Sequence, residues 1–191
     1  MVASTGRPSN IDMVTGLTAG LDEVVQFLTE MLEIAARHNV RLAIENCPVM
    51  GNIAVSPYMY ELLFEKIQDR GLGWAYDPSH LAFQFCDVYA PLEDFKERIY
   101  HVHAKDTYID QQLLAKMGTT AEQHWWHYCL PGKGVVDWTK FLEVLRGSGY
   151  DEVVSIEHED SNWEKTPELV TEGILLSKKH LEHSMKQHKS Q

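Results

Sequence analysis

Residues 42–45 read LAIE, a short aliphatic run whose last side chain is the carboxylate of Glu45. Three later runs have the same form and end in an acidic or imidazole side chain: GWAYD in Asp77, IYHVH in His103 and VVSIE in Glu157. Loop residues and then a helix-like stretch follow each run. The chain therefore repeats a strand, loop and helix unit with a polar group at the same end of each strand.

Repeating parallel units bring the ends of their strands to one rim of one sheet. Two Glu, one Asp and one His at that rim form a mixed oxygen and nitrogen ligand set, which suits a divalent ion such as Mn, Mg, Co or Zn. Any one of these residues alone is more typical of a helix N-cap or a solvated loop. Their recurrence in step with the repeat favours a metal site. Its predicted ligands are Glu45, Asp77, His103 and Glu157.

Length and composition indicate one globular domain over residues 1–191, with 44% hydrophobic and 24% charged residues. No apolar run approaches the roughly 18 residues that span a bilayer, and the start lacks the layout of a secretory signal. We therefore expect a cytoplasmic protein without a membrane partner. The net charge of −11 argues against nucleic-acid binding, which depends on basic patches. The three cysteines have no CxxC pair and are expected to be reduced thiols.

Hydrophobic periodicity defines the expected elements. Helices are predicted over about 20–38, 57–69, the high 80s to 98, 138–148 and 167–183, and strands over 40–45, 72–77, 99–103 and 152–157, with a strand stub in 1–5. Residues 105–137 break the rhythm and carry an aromatic cluster and PGKG, so we expect a long, lid-like loop there, not a disordered insert. The polar tail over 184–191 is expected to fray.

Four complete strands and a partial fifth fall short of the eight that close a (β/α)8 barrel, which takes about 250 residues. The expected fold is therefore an α/β protein, an incomplete TIM barrel that contains the C-terminal four to five βα units. An open doubly wound sheet is the alternative, but no glycine-rich phosphate loop follows the first strand. The unpaired edges of an incomplete barrel predict self-association, or a partner chain that completes the barrel.

Five segments carry a resemblance to a known family: IENCP, DPSH, HVHAKD, WWHYCLPGKGVVDW and VVSIEHED. They resemble the xylose isomerase-like TIM-barrel superfamily, in particular the sugar phosphate isomerase/epimerase group that is similar to D-tagatose 3-epimerase and inosose dehydratase. The resemblance places the metal ligands on Glu45, Asp77, His103 and Glu157, and a substrate-contacting histidine on His80. It also implies that Glu45 and Glu157 transfer protons. Family members begin with about three more βα units, so the chain is expected to be N-terminally truncated.

The same residues suggest a reaction type. A metal chelated by a substrate hydroxyl and carbonyl acidifies the neighbouring C–H and holds the enediolate that forms. Carboxylates on both faces of that carbon permit epimerisation, and one carboxylate with a departing hydroxyl permits dehydration. We expect a sugar or sugar phosphate isomerase/epimerase acting on a small sugar or polyol. A keto-sugar or inosose dehydratase is the alternative on this site, and an inactive barrel fragment that needs a partner chain is the alternative from another class.

Three further side chains are candidate substrate contacts. His80 can turn back over the site to bond a sugar hydroxyl, although a helix-capping or exposed histidine is the alternative. Lys105 can bind an oxyanion or phosphate, and a solvated loop salt bridge is an equal alternative. Trp126 can stack on the C–H face of a sugar, or it can pack the long loop onto the barrel.

Overall fold

The computed structural model describes residues 1–3, 20–48, 51–120 and 124–187. In chain order the strands are β1 (Val2–Ala3), β2 (Leu42–Glu45), β3 (Leu72–Tyr76), β4 (Ile99–Ala104), β5 (Asp106–Ile109), β6 (Trp126–Cys129) and β7 (Val154–Ile156). The helices are α1 (Leu21–Arg37), α2 (Pro57–Lys66), α3 (Pro78–Ala82), α4 (Ala90–Asp94), α5 (Gln111–Met117), α6 (Trp138–Gly147) and α7 (Pro167–Gln187).

Five of the strands form one parallel sheet in the order β1-β2-β3-β4-β7. Parallel neighbours need crossover connections, and helices supply them here, which agrees with the predicted repeat. Within the described residues the sheet has two edges, β1 and β7, and is not closed into a ring. The predicted α/β fold with a parallel sheet is confirmed, and the carboxyl ends of these five strands lie on one rim.

The centre of the sheet is its most deeply buried part. All five residues of β3 are buried, as expected for a strand covered on both faces. Trp74 of β3 stacks on Tyr60 of α2, with ring centroids 3.7 Å apart and planes 5° from parallel. The Tyr60 hydroxyl donates to the carbonyl of Ile44, 2.7 Å away, and so ties α2 to β2. Burying each such side chain stabilises the fold by about 1.5–3 kcal/mol, and this packing holds the strands in register below their carboxyl ends.

Two elements between β3 and β4 differ from the expected single helix. The short α3 starts directly after Asp77, whose Oδ1 accepts a hydrogen bond from Ser79 N and caps the helix. The second helix, α4, ends at Asp94 instead of running to Arg98. It stops because the chain turns at Phe95, whose carbonyl accepts from Arg98 N. That turn places Arg98 beneath the sheet at the start of β4.

The segment expected to be a long loop, 105–137, contains regular structure. Strands β5 and β6 pair antiparallel as a two-stranded ribbon, and α5 lies between them. Buried Asp106 fastens the ribbon to the turn that follows: its carboxylate accepts from Gly132 N, Val136 N and Trp138 Nε1 at 3.0, 3.1 and 2.9 Å. A lid role for this segment stays a prediction.

The chain's last described element is α7, which continues to Gln187. It therefore includes the first part of the tail expected to fray, and Ser184 is buried. The rest of that tail, 188–191, lies outside the described residues, as do 121–123 of the expected loop. No helix of the described part of the chain combines the length and the apolar character that crossing a membrane requires.

Candidate metal centre

Four of the predicted site residues meet at the carboxyl rim of the sheet. Glu45 is the last residue of β2, Asp77 directly follows β3, His103 is the penultimate residue of β4, and Glu157 directly follows β7. One ligand atom from each residue lies within 4.8 Å of the ligand atoms of the other three. Sequence reasoning named all four, and the structure brings all four together.

The contacts within this cluster are not ordinary hydrogen-bonded pairs. His103 Nδ1 lies 3.0 Å from Glu45 Oε1 and 3.1 Å from Glu157 Oε2, although one ring nitrogen carries at most one proton to donate. Among the described residues, the buried oxygens Asp77 Oδ2 and Glu157 Oε2 have no hydrogen-bond partner of acceptable geometry, although Lys105 Nζ lies 3.2 Å from each. Since buried polar atoms are nearly always satisfied, these two oxygens indicate a ligand for the cluster.

The arrangement fits a divalent cation. Metal bonds of about 2.0–2.6 Å place two ligands of the same ion no more than about 5 Å apart, so the 4.8 Å spread requires no movement of the strands. Three carboxylates and one imidazole are donors that divalent ions accept, and they do not select one metal. Glu45, Asp77, His103 and Glu157 are therefore the residues that could hold an ion.

One buried ammonium partly balances the carboxylates. Lys105, 1% exposed, places its Nζ 3.2 Å from Asp77 Oδ2, 3.2 Å from Glu157 Oε2 and 2.8 Å from Glu159 Oε2. The alternative of a solvated loop salt bridge is excluded by this burial. This one ammonium faces three carboxylates, and Glu45 adds a fourth nearby, so a bound dication would reduce the excess of negative charge in the cluster.

The pKa shifts describe the same imbalance. Burial alone would raise the pKa of Glu157, but His103 and Lys105 lower it to about 2. Burial would lower the pKa of His103, but Glu157 and Glu45 raise it to about 10. For Asp77, complete burial outweighs the attraction of His80 and Lys105 and raises the pKa. Asp77 is thus the ligand whose negative charge its surroundings compensate least.

His80 reaches back over the cluster from α3 and is 1% exposed. Its Nε2 lies 3.3 Å from Asp77 Oδ2 and 3.5 Å from Glu45 Oε1. The other ring nitrogen, Nδ1, lies 2.7 Å from the Tyr128 hydroxyl. An exposed histidine is therefore excluded, and the position agrees with the predicted place at the edge of the site.

Trp126 lies on β6 and stacks on Phe83, with ring centroids 3.9 Å apart and planes 3° from parallel. This contact packs the ribbon against the residue that ends α3, as the packing alternative expected. One face of the indole is therefore occupied by Phe83, and the substrate contact of Trp126 stays a prediction.

Sequence reasoning missed Asn46, a buried residue that positions Asp77. Its Oδ1 accepts from Asp77 N at 2.9 Å and Trp74 Nε1 at 3.0 Å, while its Nδ2 donates to the Asp77 carbonyl at 2.9 Å. The available signal was an amide side chain directly after the predicted ligand Glu45. Glu159 was also missed, although it follows Glu157 at the spacing of two that returns to the same side of an extended chain.

A sheet of parallel βα units with a carboxylate and histidine cluster at its carboxyl rim defines a class of barrel enzymes whose sites lie at that face. A family model described as xylose isomerase-like TIM barrel matches residues 2–180. The chain belongs to this family.

Individual proteins of known sequence or structure agree with this assignment. An inosose dehydratase from Geobacillus thermodenitrificans is 26% identical over 133 residues, which are 68% of this chain and 44% of that protein. The crystal structure of a D-tagatose 3-epimerase-like protein superposes with a TM-score of 0.66 at 23% identity, over 97% of this chain and 63% of that one. The crystal structure of the IolI protein, which contains a bound zinc atom, superposes with a TM-score of 0.68 at 19% identity, over 97% of this chain and 62% of that one.

The chain is shorter than these relatives. It spans less than half the length of the curated proteins it matches, between 36% and 49%. The likeness to the solved structures therefore concerns the fold of the shared part, and the activity of the relatives remains a property of those proteins.

Proposed function

We propose that this protein is a metal-dependent sugar isomerase or epimerase whose proton-transfer residues are Glu45 and Glu157. The observation that carries the proposal is the convergence of one ligand atom from each of four residues within 4.8 Å. In the same cluster, two buried carboxylate oxygens have no hydrogen-bond partner among the described residues. The family of the chain and its epimerase-like and dehydratase relatives support a sugar or polyol substrate.

The proposed ligands are Glu45, Asp77, His103 and Glu157, and Mn, Mg, Co and Zn all suit this donor set. The zinc atom in the IolI structure supports the presence of an ion without identifying it. A bound dication would polarise the substrate carbonyl and lower the pKa of the adjacent C–H.

In the proposed reaction, Glu45 and Glu157 act on the two faces of one substrate carbon. Both carboxylates contact His103 Nδ1, at 3.0 and 3.1 Å, and they come from two different strands, the end of β2 and the end of β7. The lowered pKa of each carboxylate keeps it near neutral pH in the ionised form that a general base requires, and it also makes each a weak base. One carboxylate removes the proton and the other returns one to the opposite face, which inverts the carbon.

His80, Lys105 and Trp126 are the proposed substrate contacts. The imidazole and the ammonium lie side by side, with His80 Nε2 3.4 Å from Lys105 Nζ, and both border the carboxylate cluster. They are suited to hold hydroxyl or carbonyl oxygens, which fixes the orientation of the reacting carbon. Trp126 supplies an aromatic surface on the ribbon side.

Dehydration is the second candidate, and the inosose dehydratase relatives favour it. The first proton transfer would be the same, but a hydroxyl would then leave instead of a proton returning. The two reactions give different products, because only the dehydratase product has lost water.

A small-molecule sugar or polyol is the proposed partner, and the net charge of −11 disfavours nucleic acid. The open edges at β1 and β7 support the expectation that the chain associates with itself, or with a partner chain that completes the barrel. An inactive fragment that requires such a partner remains the non-enzymatic alternative.

The test is exchange of substrate C–H with solvent deuterium in Glu157→Gln. Protein loaded with Mn or Zn is incubated with a panel of ketohexoses and inososes in D2O, and label is followed by NMR and mass spectrometry. Wild type should exchange, whereas the variant, at an ion concentration high enough to fill its weakened site through the amide oxygen, should exchange at least about 100-fold more slowly, since the amide cannot accept the proton.

Glu152→Gln, an exposed position just before β7, removes the same charge away from the site and should exchange like wild type. Exchange at the wild-type rate in Glu157→Gln would remove Glu157 from proton transfer. No exchange by wild type with any panel member would overturn the proposed activity.

A further inference from the structure

We propose that Tyr128 of β6 is a positioning residue of this site: its hydroxyl orients His80, and its ring face holds Lys105. The inference rests on the proposed function, because those two side chains are the proposed substrate contacts. It makes the β5–β6 ribbon a working part of the site, because Tyr128 contacts both of these side chains.

The first observation is the contact between Tyr128 and His80. The hydroxyl lies 2.7 Å from His80 Nδ1, and the two rings are perpendicular, with centroids 5.1 Å apart. His80 is almost fully buried, so its nitrogens depend on protein partners. The tyrosine hydroxyl supplies that partner on the side of the ring away from the carboxylates.

This contact determines which ring atoms face the site. A half-turn of the imidazole exchanges Nδ1 with Cδ2 and Nε2 with Cε1. With the Tyr128 hydroxyl at Nδ1, Nε2 is presented to Asp77 Oδ2 and Glu45 Oε1 at 3.3 and 3.5 Å. The flipped ring would leave the hydroxyl facing carbon and a buried nitrogen unsatisfied. Tyr128 therefore selects the orientation in which a nitrogen can contact substrate.

The second observation is the contact between Tyr128 and Lys105. The ammonium nitrogen lies 4.6 Å from the centre of the Tyr128 ring, within the range of a cation–π interaction. Carboxylates of Asp77, Glu157 and Glu159 surround the same nitrogen. The ring is a weak partner that requires no proton, so it supports the ammonium without competing for the hydrogen bonds that a substrate oxygen would take.

The third observation is that the backbone fixes Tyr128 relative to α3. Tyr128 pairs with Thr107 across the ribbon, and the Thr107 hydroxyl donates to the carbonyl of Ser79 at 2.8 Å. Ser79 directly precedes His80. A hydrogen bond therefore links the ribbon to α3 next to the contact between Tyr128 and His80. This link holds the Tyr128 hydroxyl and His80 Nδ1 at a constant separation.

The experiment compares Tyr128→Phe, which removes only the hydroxyl, with Tyr128→Leu, which also removes the aromatic face. Tyr108→Phe is the matched control, since Tyr108 lies on β5 of the same ribbon and is exposed. Histidine side-chain ¹⁵N–¹H spectra of the chelator-treated full chain are recorded, and His80 signals are assigned by their loss in His80→Gln. Solvent exchange of substrate gives kcat/KM.

We expect the His80 nitrogen signals to move in Tyr128→Phe and to stay unchanged in Tyr108→Phe. The value of kcat/KM should fall roughly tenfold to hundredfold in Tyr128→Phe, as for loss of a hydrogen bond to a site residue, and further in Tyr128→Leu. His80 signals in Tyr128→Phe identical to wild type would overturn the proposal, as would wild-type kcat/KM in both Tyr128 variants. Absence of exchange in wild type would defeat the proposed function but leave the spectra as the test of Tyr128.

Discussion

Two buried polar groups at opposite ends of β4 differ in how well their surroundings satisfy them. Arg98, just before β4, donates to the carbonyls of Leu72, Gln68 and Ile67 at 2.8, 3.0 and 3.4 Å, and lies over the ring of Phe64. The carboxylates around His103, at the other end, leave two buried oxygens without hydrogen-bond partners in the part of the chain that the structure describes.

A buried charged group can serve the fold or the site, and its hydrogen bonds distinguish the two roles. A saturated cation such as Arg98 closes the lower end of the sheet and has little capacity left for a ligand. The carboxylates at the upper end lack hydrogen-bond partners, so they destabilise the fold until a cation binds them. Such a loss of stability is common at functional sites. The carboxyl rim of parallel barrels is also where their active sites lie.

The largest effect on stability should come from removing the saturated cation. Arg98→Met keeps the apolar contact with Phe64 but leaves several carbonyls buried without a donor, so the free energy of unfolding should fall by about 3 kcal/mol. Urea denaturation measures it. The exposed ion pair between Arg70 and Glu97 provides the control, because Arg70→Met should change stability by less than about 0.5 kcal/mol. Equal losses in both variants would contradict the comparison.

A smaller loss of stability is expected when Asp106 is changed. This variant tests whether a buried charged group is structural because its hydrogen bonds are all made or because it lies at the lower end of the sheet. Asp106 belongs to the ribbon above the sheet, yet it accepts from Thr107 N, Gly132 N, Val136 N and Trp138 Nε1. In Asp106→Asn an NH2 group replaces one of the two accepting oxygens and meets N–H donors that it cannot bind. The free energy of unfolding should therefore fall by about 2 kcal/mol.

The matched control for Asp106 is the exposed residue Asp94, where Asn should be neutral within about 0.5 kcal/mol. Thermal and urea unfolding of both variants give the comparison. An Asp106→Asn protein as stable as wild type would show that a saturated carboxylate in this region is not structural.

The smallest effect on stability is expected at Asp77, although it is completely buried. Burial raises the pKa of this carboxylate, so its charge is held at a cost. Asn at this position keeps the oxygen that caps Ser79 N and removes the charge. The chelator-treated Asp77→Asn protein should differ from wild type by less than about 1 kcal/mol in urea unfolding. A loss as large as that of Arg98→Met would place Asp77 among the structural groups.

The sequence predicted the parallel sheet and the four clustered residues because both follow from one regular pattern. Each apolar run marks a strand, and parallel connections place all strand ends on one rim. Glu45 and Glu157 are 112 positions apart, yet their convergence requires only that pattern. The position of His80 followed similarly from its place three residues after Asp77.

Contacts that depend on pairing between irregular segments were not predictable in this way. The β5–β6 ribbon was expected to be a loop, because its strands are short and α5 separates them. The partner of His80 is Tyr128, 48 positions away, and only the ribbon brings the two together. Arg98 gave no signal, since a charged residue before a strand is usually exposed.

Titration of Mn²⁺ into the chelator-treated full chain, with wild type, Asp77→Asn and Asp94→Asn compared by calorimetry, tests whether the four clustered residues bind an ion. We predict one ion per chain for wild type and Asp94→Asn, and affinity weakened at least about 100-fold in Asp77→Asn, since it loses a charged ligand. Zn²⁺ and Co²⁺ are titrated in parallel because the donor set does not select one metal. The account would be contradicted if wild type bound none of these ions, or if Asp77→Asn bound them as tightly as wild type.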